Sequence, residues 1–261
     1  MYKDLLLPRD KYEEVMRQYG SSPFTFEIEK NGQALYYFGA NHSHDPSNHQ
    51  YPILRDYWNK FVEVTKETER IALNEGGLRK SSEDEVSAIV NGSEAGLLTY
   101  LANKESVAIA SPELSDSELL KALPQYSVID FLLYWFLHFV NNYQTHADPK
   151  PNFNESMKRW FKYHNAKEPW NKVDFTMEEI LSRYKKIAKK DFSELESQKH
   201  LINPYKNIAL TNEISRNVGE LREVKIVSEI ENYWKSGKSI FIAYGSGHLI
   251  VQRPALERLL T

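Results

Sequence analysis

Two stretches of this sequence follow one pattern. Tyr36-Tyr37-Phe38-Gly39-Ala40-Asn41-His42 is an apolar run ending in Gly-x-x-His, and Ile240-Phe241-Ile242-Ala243-Tyr244-Gly245-Ser246-Gly247-His248 is another. Such runs read as buried strands. In an open α/β sheet, ligands bind just beyond the carboxyl ends of the strands. A histidine delivered there is placed to move protons or to hold a metal. Two glutamates occupy equivalent positions. Glu75 follows the short apolar run Arg70 to Asn74 and precedes Gly76-Gly77, and Glu113 follows Val107 to Ala110 and Ser111-Pro112. If these strands are parallel, His42, Glu75, Glu113 and His248 converge on one edge, although they are far apart in sequence.

Imidazoles and carboxylates clustered in this way suit a divalent metal such as manganese, cobalt or zinc. His42, Glu75 and His248 would be the ligands, and a water in an open position would become a nucleophile near neutral pH. The same groups without metal serve as general base and general acid. Asn41, Glu94, Glu113 and Asn217 are the candidates for touching a substrate. Each residue also has a plainer reading. A single histidine after a strand caps its turn, Glu94 within a helix is a solvated charge, and Glu113 after a proline begins a loop. Arg216 stands in a helix before the last strand. It reads as a surface arginine, or as a charge that orients the carboxylates or grips a substrate carbonyl.

Other chemistries lack their residues. There is no cysteine, so disulfides, thiolate catalysis and Cys-ligated zinc are excluded. No phosphate-binding Gly-Lys-Ser/Thr loop is present, and Ser246 is not in a Gly-x-Ser-x-Gly elbow. A net charge of −3 gives no electrostatic case for nucleic acid or an anionic membrane surface. The N-terminal leucines are too few for a signal peptide, and the apolar stretch Val128 to Val140 is too short to span a bilayer. A cytoplasmic location is expected.

The elements that must position these residues alternate. Phe24, Phe26 and Ile28 alternate with polar residues, and Asn31-Gly32 marks a hairpin into the first His strand. Helices follow over about 51–69 and 83–104, the second interrupted near Asn91-Gly92, with the Glu75 strand between them. Beyond the Glu113 strand, 115–121 and 127–141 read as helices. Residues 142–175, with three prolines and the aromatics Trp160, Phe161, Tyr163 and Trp170, read as an exposed insertion or lid. Thr176 to Glu179 is a capping box. A long helix covers about 213–234, and a short one is expected from Pro254 to Leu260. The fold class is α/β: a mostly parallel central sheet flanked by helices, with a helical insertion. Residues 1–141 with 203–261 are expected to form one catalytic domain, and 142–202 the insertion.

In order and placement, the motifs Phe38-Gly39-Ala40-Asn41-His42, Asn74-Glu75-Gly76-Gly77, Glu94, Glu113, Arg216-Asn217 and Tyr244-Gly245-Ser246-Gly247-His248 resemble the TraB/TIKI superfamily, related to the erythromycin-esterase-like and ChaN-like proteins. The likeness covers residues 34–113 and 211–260. It implies an α/β fold and, in the TIKI branch, a metal-dependent peptidase. In the esterase branch it implies ester or lactone hydrolysis with a histidine base. By this resemblance His42 and His248 are ligands or acid–base groups, Glu75 is a ligand or base, and Arg216 stabilises charge. The expectation is a hydrolase, metal-dependent and peptidase-like, acting on a peptide or small ester. The alternatives are a metal-independent esterase, or a non-catalytic protein that binds a small molecule, haem or a metal.

Overall fold

The computed structural model describes residues 2–145, 151–172, 175–194 and 196–261. In chain order its main elements are α1 (Tyr12–Tyr19), β1 (Phe24–Lys30), β2 (Gln33–Ala40), α2 (Gln50–Val64), β3 (Arg70–Asn74), α3 (Glu85–Lys104) and β4 (Ala108–Ala110). Then come α4 (Asp116–Ala122), α5 (Val128–Thr145), α6 (Phe153–Ala166), α7 (Met177–Ala188), α8 (Lys199–Ile202), α9 (Leu210–Lys235), β5 (Ser239–Gly245) and α10 (Ser246–Leu260). The chain forms two compact units: residues 1–113 with 222–261, and residues 114–221.

The first unit holds the sheet, in the order β1-β2-β5-β3-β4. Only β1 runs antiparallel, joined to β2 through Asn31 and Gly32, both at positive φ as the hairpin turn demands. β2, β5, β3 and β4 are mutually parallel. β1 buries Phe24, Phe26 and Ile28 and leaves Thr25, Glu27 and Glu29 wet, because it is an edge strand. β2 and β5 are buried almost throughout, because helices cover both faces. One face packs Leu35, Tyr37, Leu73, Ile240 and Ile242 against α10 and the Ile226–Trp234 stretch of α9. The other packs Tyr36, Phe38, Ala72 and Phe241 against α2 and α3. The α/β class and the mostly parallel sheet agree with the alternating pattern of the sequence.

The parallel register aligns the strand ends. Ala40 lies opposite Gly245, and Asn74 opposite Ala243. The residues that follow these strands therefore emerge on one edge.

The second unit is helical and larger than the expected insertion. It begins at Leu114 rather than 142 and runs to Leu221. The reason lies in α5, whose Phe131, Leu132, Leu133, Phe136, Leu137 and Val140 are all buried. An apolar surface that wide needs partners on several sides, and this unit's own helices supply them. Trp170, expected on an exposed lid, is fully buried, whereas Tyr163 is exposed. α7 has the expected capping box between Thr176 and Glu179. Among the described residues, no helix is long and apolar enough to cross a membrane.

α10 differs from expectation. It starts at Ser246, directly after β5, and carries Pro254 inside it. Proline favours the first helical turn, which suggested a start at 254. Eight residues of helix precede it instead, so His248 stands in the first turn of a helix rather than in a loop.

Candidate active site

His42 leaves the end of β2 on a loop that α2 holds. The fully buried Gln50 side chain accepts from Asn41 N at 2.9 Å and donates to Asn41 O at 2.7 Å. The Tyr51 hydroxyl donates to the Ser43 carbonyl. The Asn41 side chain itself is exposed. These bonds fix the backbone on either side of His42 and leave its imidazole free to reach inward.

The His42 Nδ1–H donates to Glu94 Oε1 at 2.5 Å. Glu94 is almost fully buried, and its Oε2 has no hydrogen-bond partner. It reaches His42 because α3 breaks one residue earlier, where Ser93 adopts φ 50° and ψ −142°. That is a costly conformation for a residue with a Cβ. Gly96 packs over the break, and a Cβ there would lie 2.1 Å from the Ala88 carbonyl oxygen. The interruption expected near Asn91-Gly92 is thus a packed kink that turns Glu94 inward.

Glu75 sits at the centre. Its Oε2 accepts from Gly245 N at 2.9 Å and lies 3.5 Å from His42 Nε2. Its Oε1 accepts from His248 Nε2 at 3.2 Å and from Arg222 Nη2 at 3.3 Å. Arg222 Nη2 also donates to Glu113 Oε1 at 2.9 Å. Gly76 and Gly77, both at positive φ, turn the chain after β3 so that Gly76 N meets Glu113 and Gly77 N meets Ser111 Oγ.

His248 is clasped from both sides. Its Nδ1–H donates to Glu223 Oε1 at 2.7 Å, while its Nε2 faces Glu75. A ring that donates from both nitrogens is an imidazolium. The Tyr244 ring stands edge-on to it, with centroids 5.5 Å apart.

The charges are graded. Burial opposes the charge on His248, but Glu223 and Glu75 outweigh it and push the ring up to about 10. Burial also opposes ionisation of Glu75. The hydrogen bond from His248 and the charges of His248, His42 and Arg222 reverse this and hold it well below the usual carboxylate range. His42 is raised by its hydrogen bond to Glu94, against burial, with help from the charges of Glu94 and Glu75. The two histidines also differ in access, since the His42 side chain is 56% exposed and that of His248 16%.

The structure therefore brings together His42, Glu75, Glu94, Glu113 and His248. Arg216 and Asn217 are placed differently. Both belong to the second unit, where Arg216 donates to Lys206 O and Asn207 Oδ1, and Asn217 donates to the Tyr126 hydroxyl. The guanidinium on the glutamates is that of Arg222. Sequence reasoning also missed Glu223, Gln50 and Gln252. Gln252 stands four residues after His248 and shares its helix face, a relation that holds only because the last helix begins at Ser246.

The expected metal site at His42, Glu75 and His248 is not formed as such. Among the described residues, no three His, Asp or Glu side chains are placed to hold a metal ion. Both Glu75 oxygens already accept strong donors, Gly245 N on one and Arg222 and His248 on the other. Manganese, cobalt or zinc would have to displace them, so these residues do not fit the ion. No protein-family model, curated protein or solved structure matches the chain.

Proposed function

We propose that this protein is a hydrolase of small esters or lactones, with His42 as general base. Its Nδ1–H is committed to buried Glu94, which leaves Nε2 as the basic nitrogen. The His42 side chain is 56% exposed, so a water can approach the ring, whose Nε2 lies 3.5 Å from Glu75 Oε2. His42 takes a proton from the water as the water attacks the carbonyl carbon, and returns it to the departing alkoxide. The imidazolium formed in between lies between two carboxylates, Glu94 on Nδ1 and Glu75 near Nε2. Their charge stabilises it, as the buried carboxylate does in a hydrolytic triad.

Glu75 must stay ionised and still for this purpose. The permanent charge of Arg222, the imidazolium of His248 and the Gly245 N–H keep it so. Two histidines in environments that set them apart, one half-exposed and one clasped between carboxylates, suit different roles. The exposed Asn41 side chain beside His42 is a candidate to touch the substrate. The resemblance to erythromycin-esterase-like proteins is in keeping with this reading.

The observation that carries the proposal is the 2.5 Å bond from His42 Nδ1 to a buried glutamate, on a side chain that is itself more than half exposed. The test is hydrolysis of a panel of fluorogenic small esters and lactones, with and without a metal chelator. Turnover that survives chelation and falls about 100-fold or more in a folded His42→Ala variant is the expected result. No turnover on any member of the panel, or full turnover in His42→Ala, would overturn it. Turnover lost to chelator and restored by manganese, cobalt or zinc would point to the metallopeptidase chemistry instead.

A further inference from the structure

Gln252 is fully buried on α10, one turn beyond His248. Its Nε2 donates to Glu223 Oε2 at 2.6 Å, and its Oε1 accepts from the Tyr37 hydroxyl at 3.1 Å. The amide cannot be reversed, because a carboxylate only accepts and so takes the NH₂ end. Glu223 thus has one oxygen on His248 Nδ1 and the other on Gln252 Nε2. The chain of bonds runs from Tyr37 on β2 through Gln252, Glu223 and His248 to Glu75. It links the core to the carboxylate that faces His42.

The terminal torsion of a glutamate is broad and nearly two-fold. One bond to an imidazole leaves that torsion free to swing, and the ring swings with it. A second bond, from a donor fixed at its far end, removes the freedom. We propose that Gln252 is a positioning residue: it locks Glu223, and through it the ring of His248, so that His248 Nε2 stays directed at Glu75. The inference builds on the hydrolase reading of the site, but one arm of its test needs no turnover.

The variant Gln252→Leu keeps the volume and removes both bonds. The direct readout is the proton on His248 Nδ1, followed by NMR in protein with ¹⁵N-labelled histidine and assigned by its loss in His248→Gln. In the parent protein the signal lies far downfield, as for a proton shared with a carboxylate. In folded Gln252→Leu it should move upfield or broaden beyond detection, and kcat on the best ester should fall about tenfold or more with KM little changed. Tyr37→Phe, which frees only the far end of the amide, should shift the same signal by less. It decides the matter if Gln252→Leu does not fold. An unchanged His248 signal in a folded Gln252→Leu, or in Tyr37→Phe if the leucine variant does not fold, would overturn the proposal. If the parent protein hydrolyses no ester, the hydrolase reading fails while the NMR arm still decides on Gln252.

Discussion

Gly245 and His42 are in such close contact that residue 245 has no room for a side chain. A Cβ at 245 would lie 2.9 Å from His42 Nε2 and 3.3 Å from Glu75 Oε2. The backbone there, at φ −54° and ψ 142°, is one that any residue adopts. The glycine is therefore required by the histidine, not by the chain. Gly245→Ala should fold normally by circular dichroism, yet push the His42 ring away and lower kcat on esters by about tenfold or more.

Replacing Glu94 tests the base directly. The acid limb of the activity profile reports the proton on His42, because a general base must be unprotonated. The hydrogen bond to Glu94 is the largest influence that raises His42 above 6.5. In Glu94→Gln that influence is gone, so the limb in kcat/KM should move to lower pH while the maximum falls. A pH–rate profile of both proteins checks this, and an unmoved limb would mean that another group sets it.

The Glu75–His248 pair makes stability depend on pH at both ends. His248 is raised from 6.5 to about 10, so its contribution is full below about 6.5, declines above it and is gone once the pH has passed about 10. Glu75 is lowered from 4.5, so its contribution is full above that value and is lost as the pH falls through its folded range. Glu223 raises His248 most and Glu75 adds to it, so the two contributions overlap only in the Glu75–His248 contact. The melting temperature should be highest between these two limits, and His248→Gln should flatten the alkaline decline.

Arg222 joins two carboxylates that would otherwise repel each other. Arg222→Leu leaves Glu75 and Glu113 without their shared cation, although all three side chains keep some contact with water. The cost in stability should be about 1–3 kcal/mol, below that of breaking a fully buried pair. Turnover should fall as well, since Glu75 loses a tether. Arg222→Lys should restore much of the stability and less of the rate, because both bonds come from the far Nη2 and an ammonium on a shorter stem must shift to reach the same two oxygens. Urea titrations beside ester kinetics separate the two effects.

Ser93 carries strain that a glycine would relieve. Ser93→Gly should keep the kink and raise the unfolding free energy by about 1 kcal/mol, after the extra freedom of glycine in the unfolded chain is subtracted, with the urea midpoint moving upward. Ser93→Val should destabilise and pull Glu94 away from His42.

The half of the site that the sequence discloses is the half built on strand ends. An apolar run that stops at a glycine, or at a glutamate before two glycines, marks both an element and its outlet, so His42, Glu75, Glu113 and His248 could be picked out without coordinates. Parallel register then brings them together. The other half comes from helices. Arg222 and Glu223 are charged residues inside a long helix, where charge is ordinarily solvated, and nothing local distinguishes them from their neighbours. The expectation for Arg216 shows the difficulty, because two arginines six residues apart on one helix fall in different units. Gln252 was hidden by a boundary: with the last helix begun at Pro254, it did not share a face with His248. The helical unit was drawn too short because the helix at 127–141 was placed in the catalytic domain, although its wide apolar surface called for a core of its own.

The place of β5 in the sheet bears on how the protein acquires its shape as it is made. β5 is an interior strand, hydrogen-bonded on both sides, to β2 and to β3. In the chain it follows all of the second unit. While the ribosome works through that unit, β2 and β3 each lack the neighbour that will join them, and two apolar strands wait with open edges. The nascent chain should therefore be most prone to aggregation in that interval, and most dependent on chaperones, until residues 239–245 slide between them.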